Sequence, residues 1–376
     1  MKSWQMWTGL WLILAGTWSG LAGQAPGPPI AEPAAVAASY SAVDANGDAV
    51  QLAAPPQRIL VTGKSALIPA DALFLFPEAR QHIRHLARVN QGLGNFYTLR
   101  MPELAQETVD WMQNGGTEEL VAMHPDLVVT KTAATESVIR KLRPLGIPCF
   151  AMSLETPDEW MNELPQLGHL LGEDARAEEL LGHFHKRLDA VAQGVHAALA
   201  KGQPRPRVLL LQISAADGLH SFSVSPDRWL QTWMVEAAGG DPVWKGTGLT
   251  SSGWSKVSFE QIAAWNPDHI YFVSFKAPLG PLLEAVRADR RWQQLTAIQA
   301  GRFRAMPADL VSYAQPVSRW ILGLQWLAAD LHPDAFPDFR MEEALPVFYR
   351  DFYGLTDASI LARLQEAYRT ATPDGN

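Results

Sequence analysis

Between Asp174 and Lys201 the apolar residues Leu180, Leu181, Phe184, Leu188, Val191, Val195 and Leu199 recur three or four apart, one stripe of a helix. Asp174 reads as its N-cap, and Gly202 followed by Pro204 and Pro206 as its stop. About 27 helical residues at about 1.5 Å each predict a rod of about 40 Å. Shorter patterns lie on both sides of it. Ser41–Leu52 alternates apolar and polar residues around Asn46-Gly47, a hairpin signal. Arg58–Gly63 reads as a buried strand and Ala70–Phe76 as a helix, with further helical pattern over Glu78–Leu86. Asn90–Tyr97 is Gly/Asn-rich and predicts a loop. Thr117–Met123 predicts a helix, Leu127–Thr130 a strand, Ser137–Leu145 a helix, and Gly146–Phe150 the start of another strand.

The second half repeats this order. Arg207–Leu211 predicts a strand, and Ser225-Pro226 opens a helix that runs to about Ala238 and ends at Gly239-Gly240-Asp241. Ser258 and Gln261 have capping-box spacing for a helix ending at Trp265, followed by the strand His269–Val273. Aligned on their Pro-Asp pairs, TEELVAMHPDLVV and FEQIAAWNPDHIYF match element for element. Arg58 precedes Pro125 by 67 residues and Arg207 precedes Pro267 by 60. Alternating strands and helices predict mostly parallel sheets. The fold class expected is therefore α/β, two lobes with mostly parallel sheets joined by one long helix.

Composition changes this picture little: 376 residues leave room for two domains, and 47% hydrophobic with 19% charged residues is ordinary for a globular chain. A net charge of −8 gives no general reason to expect nucleic acid or an anionic membrane as partner. The first residues add a location. Lys2 followed by the apolar run Trp7–Trp18 and the small residues Ser19–Gly23 reads as a secretory signal, shorter than the roughly 20 apolar residues of a spanning helix. Cleavage is expected near Gly23–Ala25. Gln24 stands where a lipoprotein would carry its cysteine, so a periplasmic, unlipidated protein is expected. The single cysteine, Cys149, excludes an internal disulfide and reads as a small buried hydrophobe. The expected division is a signal over 1–23, a linker over 24–36, an N-terminal lobe over 37–173, the helix over 174–201 and a C-terminal lobe over 202–376.

With PPQRILVTG, ELVAMHPDLVVT, the central helix, VEAAGGDPVW, WSKVSFEQIAAWNPDHIYF and the closing YAQPVSRWILGLQWLAADLHPDAF in this order, the chain resembles the periplasmic substrate-binding proteins of the single-helix-hinge class. That class serves ABC importers for iron–siderophore complexes, haem and corrinoids, and some members sharing the closing segment are similar to binders of molybdate or tungstate. The resemblance implies a small-molecule cargo held between the lobes, probed by loops at the C-terminal ends of the strands. It further implies an inner-membrane ABC permease as partner, met by one acidic residue from each lobe, for which Glu78 and Glu236 are the matching positions. A monomer is expected.

The loops nominate ligand-binding residues by type. Lys64, Tyr97 and Lys131 come from the first lobe, and Arg228, Trp254, Tyr313 and Arg319 from the second, with Ser65, Asn95, Phe222, Phe275 and Lys276 beside them. Cations meet carboxylate or catecholate oxygens and rings cover a flat body, the chemistry of an anionic metal chelate. Against that, a loop cation is usually only solvated, and Trp229, Trp233, Trp265 and Trp326, at helical spacing, read as core. His82 and His85 read as sharing a helix face with arginines, and His183 and His185 as diverging on theirs, so neither pair predicts a metal site. No HExxH, GxSxG, phosphate-binding glycine loop or paired cysteines are present, so neither enzymatic activity nor a resident cofactor is expected. A chelatase-like enzyme of similar fold would need a His and a carboxylate facing the cleft, where the nominated loops carry cations and rings; a stand-alone ligand sensor is the remaining alternative.

Overall fold

The computed structural model describes residues 40–88, 92–105, 108–109, 116–202, 204–216, 219–249 and 253–372. The expected export signal and Pro/Ala linker lie outside them. Strands β1 (Tyr40–Val43) and β2 (Ala49–Leu52) pair antiparallel through the Asn46-Gly47 turn, as the alternation predicts.

The first lobe carries a parallel five-stranded sheet. Its strands are β3 (Ile59–Thr62), β4 (Ile83–Ala87), β5 (Thr108–Val109), β6 (Leu127–Lys131) and β7 (Cys149–Met152), ordered β5-β4-β3-β6-β7. β3 and β6 are buried throughout, as a sheet covered on both faces requires. Two expectations need correction. The helical pattern over Glu78–Leu86 resolves into a short helix, Pro77–Arg80, followed by β4. Ile83 and Leu86 are three apart, which suits a helix, but both are buried against β3 and its neighbours. His82 and His85 therefore stand before and within a strand, not on a helix face. The expected helix over Ser137–Leu145 is a run of irregular turns, π over Thr135–Ile139, α over Arg140–Leu142 and 3₁₀ over Arg143–Leu145. Cys149 is buried with Leu60, Val128 and Leu142, and burial pushes its thiol pKa up to about 12.

The second lobe has a mixed sheet of β8 (Arg207–Ala216), β9 (Leu219–Val224), β10 (Asp241–Pro242), β11 (Ser255–Val257), β12 (His269–Val273) and β13 (Phe303–Ala305). The order is β11-β9-β8-β12-β13, with β10 along the start of β8. β8, β12 and β13 are parallel, and β9 runs antiparallel to β8 and β11.

The internal repeat is present at the atomic level. In the first lobe Asp126 accepts the backbone N–H groups of Gln57 (2.7 Å) and Arg58 (2.8 Å), and its own N–H returns to the Arg58 carbonyl. In the second, Asp268 accepts from the Arg207 N–H (2.9 Å) and its N–H returns to the Arg207 carbonyl (2.7 Å). The Arg58 side chain donates to the His124 carbonyl, and that of Arg207 to the Asn266 carbonyl. His124 and Asn266, the residues before each Pro-Asp, both sit in the left-handed region at φ 48° and 40°. Each aspartate thereby ties the start of a central strand to the turn entering its parallel neighbour.

The spine is the helix Asp174–Leu199, 26 residues and so about 39 Å long. Ala177, Leu180, Phe184, Val191 and Val195 form its buried stripe. Its N-cap is Glu173 rather than Asp174, and the Glu173 carboxylate accepts instead from the Ala79 N–H (2.8 Å) of the short helix Pro77–Arg80. A second element also spans the lobes. The helix Met341–Tyr353, near the end of the chain, receives Arg80 at the Tyr353 carbonyl (2.8 Å) and Arg176 of the spine at the Phe352 carbonyl (2.6 Å).

Candidate functional site: the junction of the two lobes

The C-terminal ends of the parallel strands in both lobes turn toward one another, and the backbones meet there. Gly92 donates its N–H to the Phe275 carbonyl (2.6 Å) and Leu93 to the Leu310 carbonyl (2.7 Å). Farther along, Leu230 donates to the Glu155 carbonyl (2.9 Å). Gly92 has φ +105°, and an added Cβ would stand 2.6 Å from the Leu310 oxygen, so only glycine lets this loop reach the second lobe.

At this junction Trp254 lies edge-to-face with both Trp229 (centroids 6.0 Å apart) and Phe275 (5.7 Å). All three rings are half-buried. Trp229, read from its spacing as core, is instead the N-cap of the helix Leu230–Ala237. That helix starts four residues later than Ser225-Pro226 predicts. Ser225 is buried and bonded to Thr232 (2.9 Å), and the Pro226 carbonyl accepts the Thr232 hydroxyl. Arg228 is exposed in the turn before Trp229, outside the helix, and the Leu230 N–H of the helix start is already taken by Glu155. Lys64 is exposed on the turn after β3, beside Ser65 at φ 61°.

Lys131 is buried at the end of β6, donating to the Ser153 carbonyl and paired with Glu155. Glu163, buried on the helix Pro157–Leu171, accepts from the Ser153 N–H (2.8 Å) and the Leu154 N–H (3.3 Å). Burial pushes its carboxyl up to about 7, opposed by those two backbone bonds, reinforced by Glu159 and opposed by Lys131.

Tyr97, Tyr313 and Arg319 also converge, but in the interior, where none has exposed surface. Asp71, on the first-lobe helix Leu67–Phe74, accepts from the Ser318 N–H (2.6 Å), Arg319 Nη1 (2.7 Å) and the Tyr353 hydroxyl (2.6 Å). The Tyr97 hydroxyl donates to the Leu67 carbonyl (3.0 Å) beside Asp71. Asp309 accepts from the hydroxyls of Tyr349 and Tyr313 and pairs with Arg319 Nε (3.4 Å). The guanidinium stacks over the rings of Phe96 (4.6 Å), Tyr349 (5.2 Å) and Tyr353 (5.3 Å). Burial alone would lower the Arg319 pKa; the tyrosine oxygens and the two carboxylates reverse this and raise it. Burial likewise raises the pKa of Tyr97, Tyr313, Tyr349 and Tyr353.

The nominated residues thus divide. Trp254, Arg228 and Lys64 keep surface at the ends of the strands, while Lys131, Tyr97, Tyr313 and Arg319 are engaged with protein partners. Sequence reasoning missed Trp229, Asp71, Asp309, Tyr349 and Tyr353. Asp71 left a signal, a lone charge within the apolar run IPADALFLF, and Tyr349 and Tyr353 share a helix face four residues apart. Glu78 is exposed on the helix Pro77–Arg80, and Glu236 is half-exposed near the end of its helix in an ion pair with Lys245 (2.5 Å).

Two α/β lobes joined by one long helix, with three half-buried rings at their junction, are the kind of architecture in which ligands are held between lobes. The family model described as periplasmic binding protein matches residues 101–310, and the chain belongs to that family. The molybdate-binding protein MolA of Haemophilus influenzae is 25% identical over 296 residues, 73% of this chain and 80% of that protein. A cobalamin-binding protein of Halobacterium salinarum is 28% identical over 231 residues, 60% of this chain and 56% of that one. Among solved structures, a periplasmic solute binding protein from Veillonella parvula has the same fold, with a TM-score of 0.64 and 22% identity over 89% of this chain and 96% of its own. Among the described residues no helix is long and apolar enough to cross a membrane.

Proposed function

We propose that the protein is an exported, unlipidated periplasmic receptor that holds an anionic, partly flat metal chelate between its lobes and delivers it to an ABC importer. An iron–catecholate siderophore complex or haem fits that description; a corrinoid fits its flat body but not its negative charge. The observation that supports this reading is the row of half-exposed rings, Trp229, Trp254 and Phe275, at the junction of the lobes. Such a surface suits a flat organic body, whose faces the rings can cover, better than a bare tetrahedral anion, which could use only the indole N–H groups. Exposed Arg228, next to Trp229 in the chain, and Lys64 supply positive charge for a carboxylate or catecholate. Glu78 and Glu236 are the acidic positions assigned to the permease; release of Glu236 from Lys245 accompanies docking in this scheme. The second reading, an oxyanion receptor, is favoured by the 25% identity to a molybdate-binding protein over 73% of the chain.

Calorimetry separates the two. Ferric catecholate, haem, cobalamin and molybdate are titrated into wild type, Trp254→Ala and Arg228→Ala. One of the three chelates is expected to bind, with affinity falling in both variants; loss of one charge-assisted contact at Arg228 corresponds to about one to two orders of magnitude. Tight molybdate binding that ignores Trp254→Ala defeats the chelate reading and establishes the oxyanion one.

A further inference from the structure

A cavity lies on the C-terminal lobe, at the far end of the helix Trp320–Leu331 from the inter-lobe network. Asp330 is on that helix, eleven residues beyond the network's Arg319, or about 16 Å along the axis. A cavity of about 470 Å³ opens there, within the range of small-ligand pockets. Its polar members are Arg304, Asp330 and Arg340, and its walls include Trp326, Phe336 and Phe339.

The site is held from behind. Tyr271, fully buried on β12, donates its hydroxyl to Asp330 Oδ2 (2.6 Å), and Asp330 Oδ1 pairs with Arg304 Nε (2.8 Å). That leaves the two terminal nitrogens of Arg304 with no hydrogen bond to a described residue, on a side chain 39% exposed. Arg340 is fixed in a similar way, its Nη1 donating to the carbonyls of Pro337 and Phe339 (both 2.8 Å). One wall is fixed by the spine helix. The Phe336 ring lies on Gly194, where a Cβ would come within 2.3 Å of the ring, so only glycine accepts it.

We propose that this cavity binds a small aromatic carboxylate, its carboxylate held by the free edges of Arg304 and Arg340 and its ring by Phe336, Phe339 and Trp326. The charge balance supports an anion: one carboxylate faces two guanidiniums, and that carboxylate is spent on Tyr271 and Arg304. The site is independent of the cleft and of the cargo held there.

Calorimetry with 2-naphthoate, and with 2-naphthamide as its neutral counterpart, tests this on the whole protein. A single saturable site with a Kd of about 1 mM or below is expected for the acid, the range open to a ligand of this size, and none for the amide. Arg340→Gln alters an exposed side chain and leaves the fold alone; it and Arg304→Gln should each weaken binding about tenfold or more, while Trp254→Ala, in the cleft, leaves it unchanged. Equal binding of acid and amide, no saturation, or binding that is lost in Trp254→Ala and kept in both arginine variants overturns the proposal.

Discussion

Glu163 shows what one residue contributes at the edge of the junction. Its carboxylate holds the N–H groups of Ser153 and Leu154, in a turn that keeps Leu154 at φ 54°, and the next residue, Glu155, gives its carbonyl to Leu230 of the other lobe. Burial pushes the Glu163 pKa up to about 7, above the ordinary carboxylate value of about 4.3 in an unfolded chain. The folded protein therefore takes up this proton at higher pH than the unfolded chain does. Its contribution to stability is fully present below the unfolded pKa and is lost as pH rises through about 7. Each tenfold gain in proton affinity is worth about 1.4 kcal/mol, so the contribution is about 4 kcal/mol at most. Glu163→Gln cannot ionise, and its amide oxygen keeps one of the two backbone bonds, the shorter one from the Ser153 N–H. Urea midpoints of the variant should be flatter than wild type between pH 5 and 8; an unchanged slope assigns the titration elsewhere. At this scale the sequence is a poor guide to the site, because residue type does not say which side of a loop a side chain takes. Arg228 and Arg319 read alike as loop cations, yet Arg319 finds Asp71, 248 positions away, and disappears into the interior.

Elements were far more legible than side chains. The spine helix, the Asn46-Gly47 hairpin and the strands beginning at Leu127, Arg207 and His269 stand where local periodicity predicts them. The repeat was readable because Pro-Asp does the same work twice, each aspartate gripping the backbone of Arg58 or Arg207. What failed did so where tertiary contacts override local pattern. β4 carries apolar residues at helical spacing but is fixed by pairing with β3, and the Ser225-Pro226 start signal is spent on a buried turn against Thr232. The loop at Gly92 was legible as a loop, but its reach across the lobes was not, since its partners are the carbonyls of Phe275 and Leu310. Gly92→Ala would bring a methyl within 2.6 Å of the Leu310 oxygen at φ +105°. Both inter-lobe bonds should fail, each worth about 0.5–1.5 kcal/mol. Hydrogen exchange by mass spectrometry should then show about tenfold faster exchange in the peptide beginning at Gly92, with the buried helix Leu67–Phe74 unaffected. Wild-type protection at Leu93 contradicts the assignment.

For the molecule as a whole, the arrangement of ties between lobes fixes how it can move. The spine helix bends only by giving up backbone bonds. The helix Met341–Tyr353 takes donors from Arg80 of the first lobe and from Arg176 and Arg187 of the spine. Between them Asp71 and Arg319 meet with no exposed surface on either, bringing Ser318, Tyr353 and Asp309 with them. To separate the lobes would expose or strip apart this pair, and leaving a buried charge without its partner costs about 3–5 kcal/mol. A ligand would have to supply that difference between open and closed forms, which makes a preset cleft the favourable arrangement. Small-angle scattering of the protein alone and with whichever of the four cargo probes binds should therefore give nearly superimposable curves. Arg319→Met tests the tie itself: it keeps apolar volume under the rings of Phe96 and Tyr349 but leaves Asp71 and Asp309 without their cation. It should lose about 3–5 kcal/mol in denaturant unfolding, with the loss partly recovered by adding Asp71→Asn, since that removes one of the two stranded charges. Marked compaction of the wild type on binding, or an Arg319→Met variant as stable as wild type, would show that the Asp71–Arg319 pair does not hold the lobes in place.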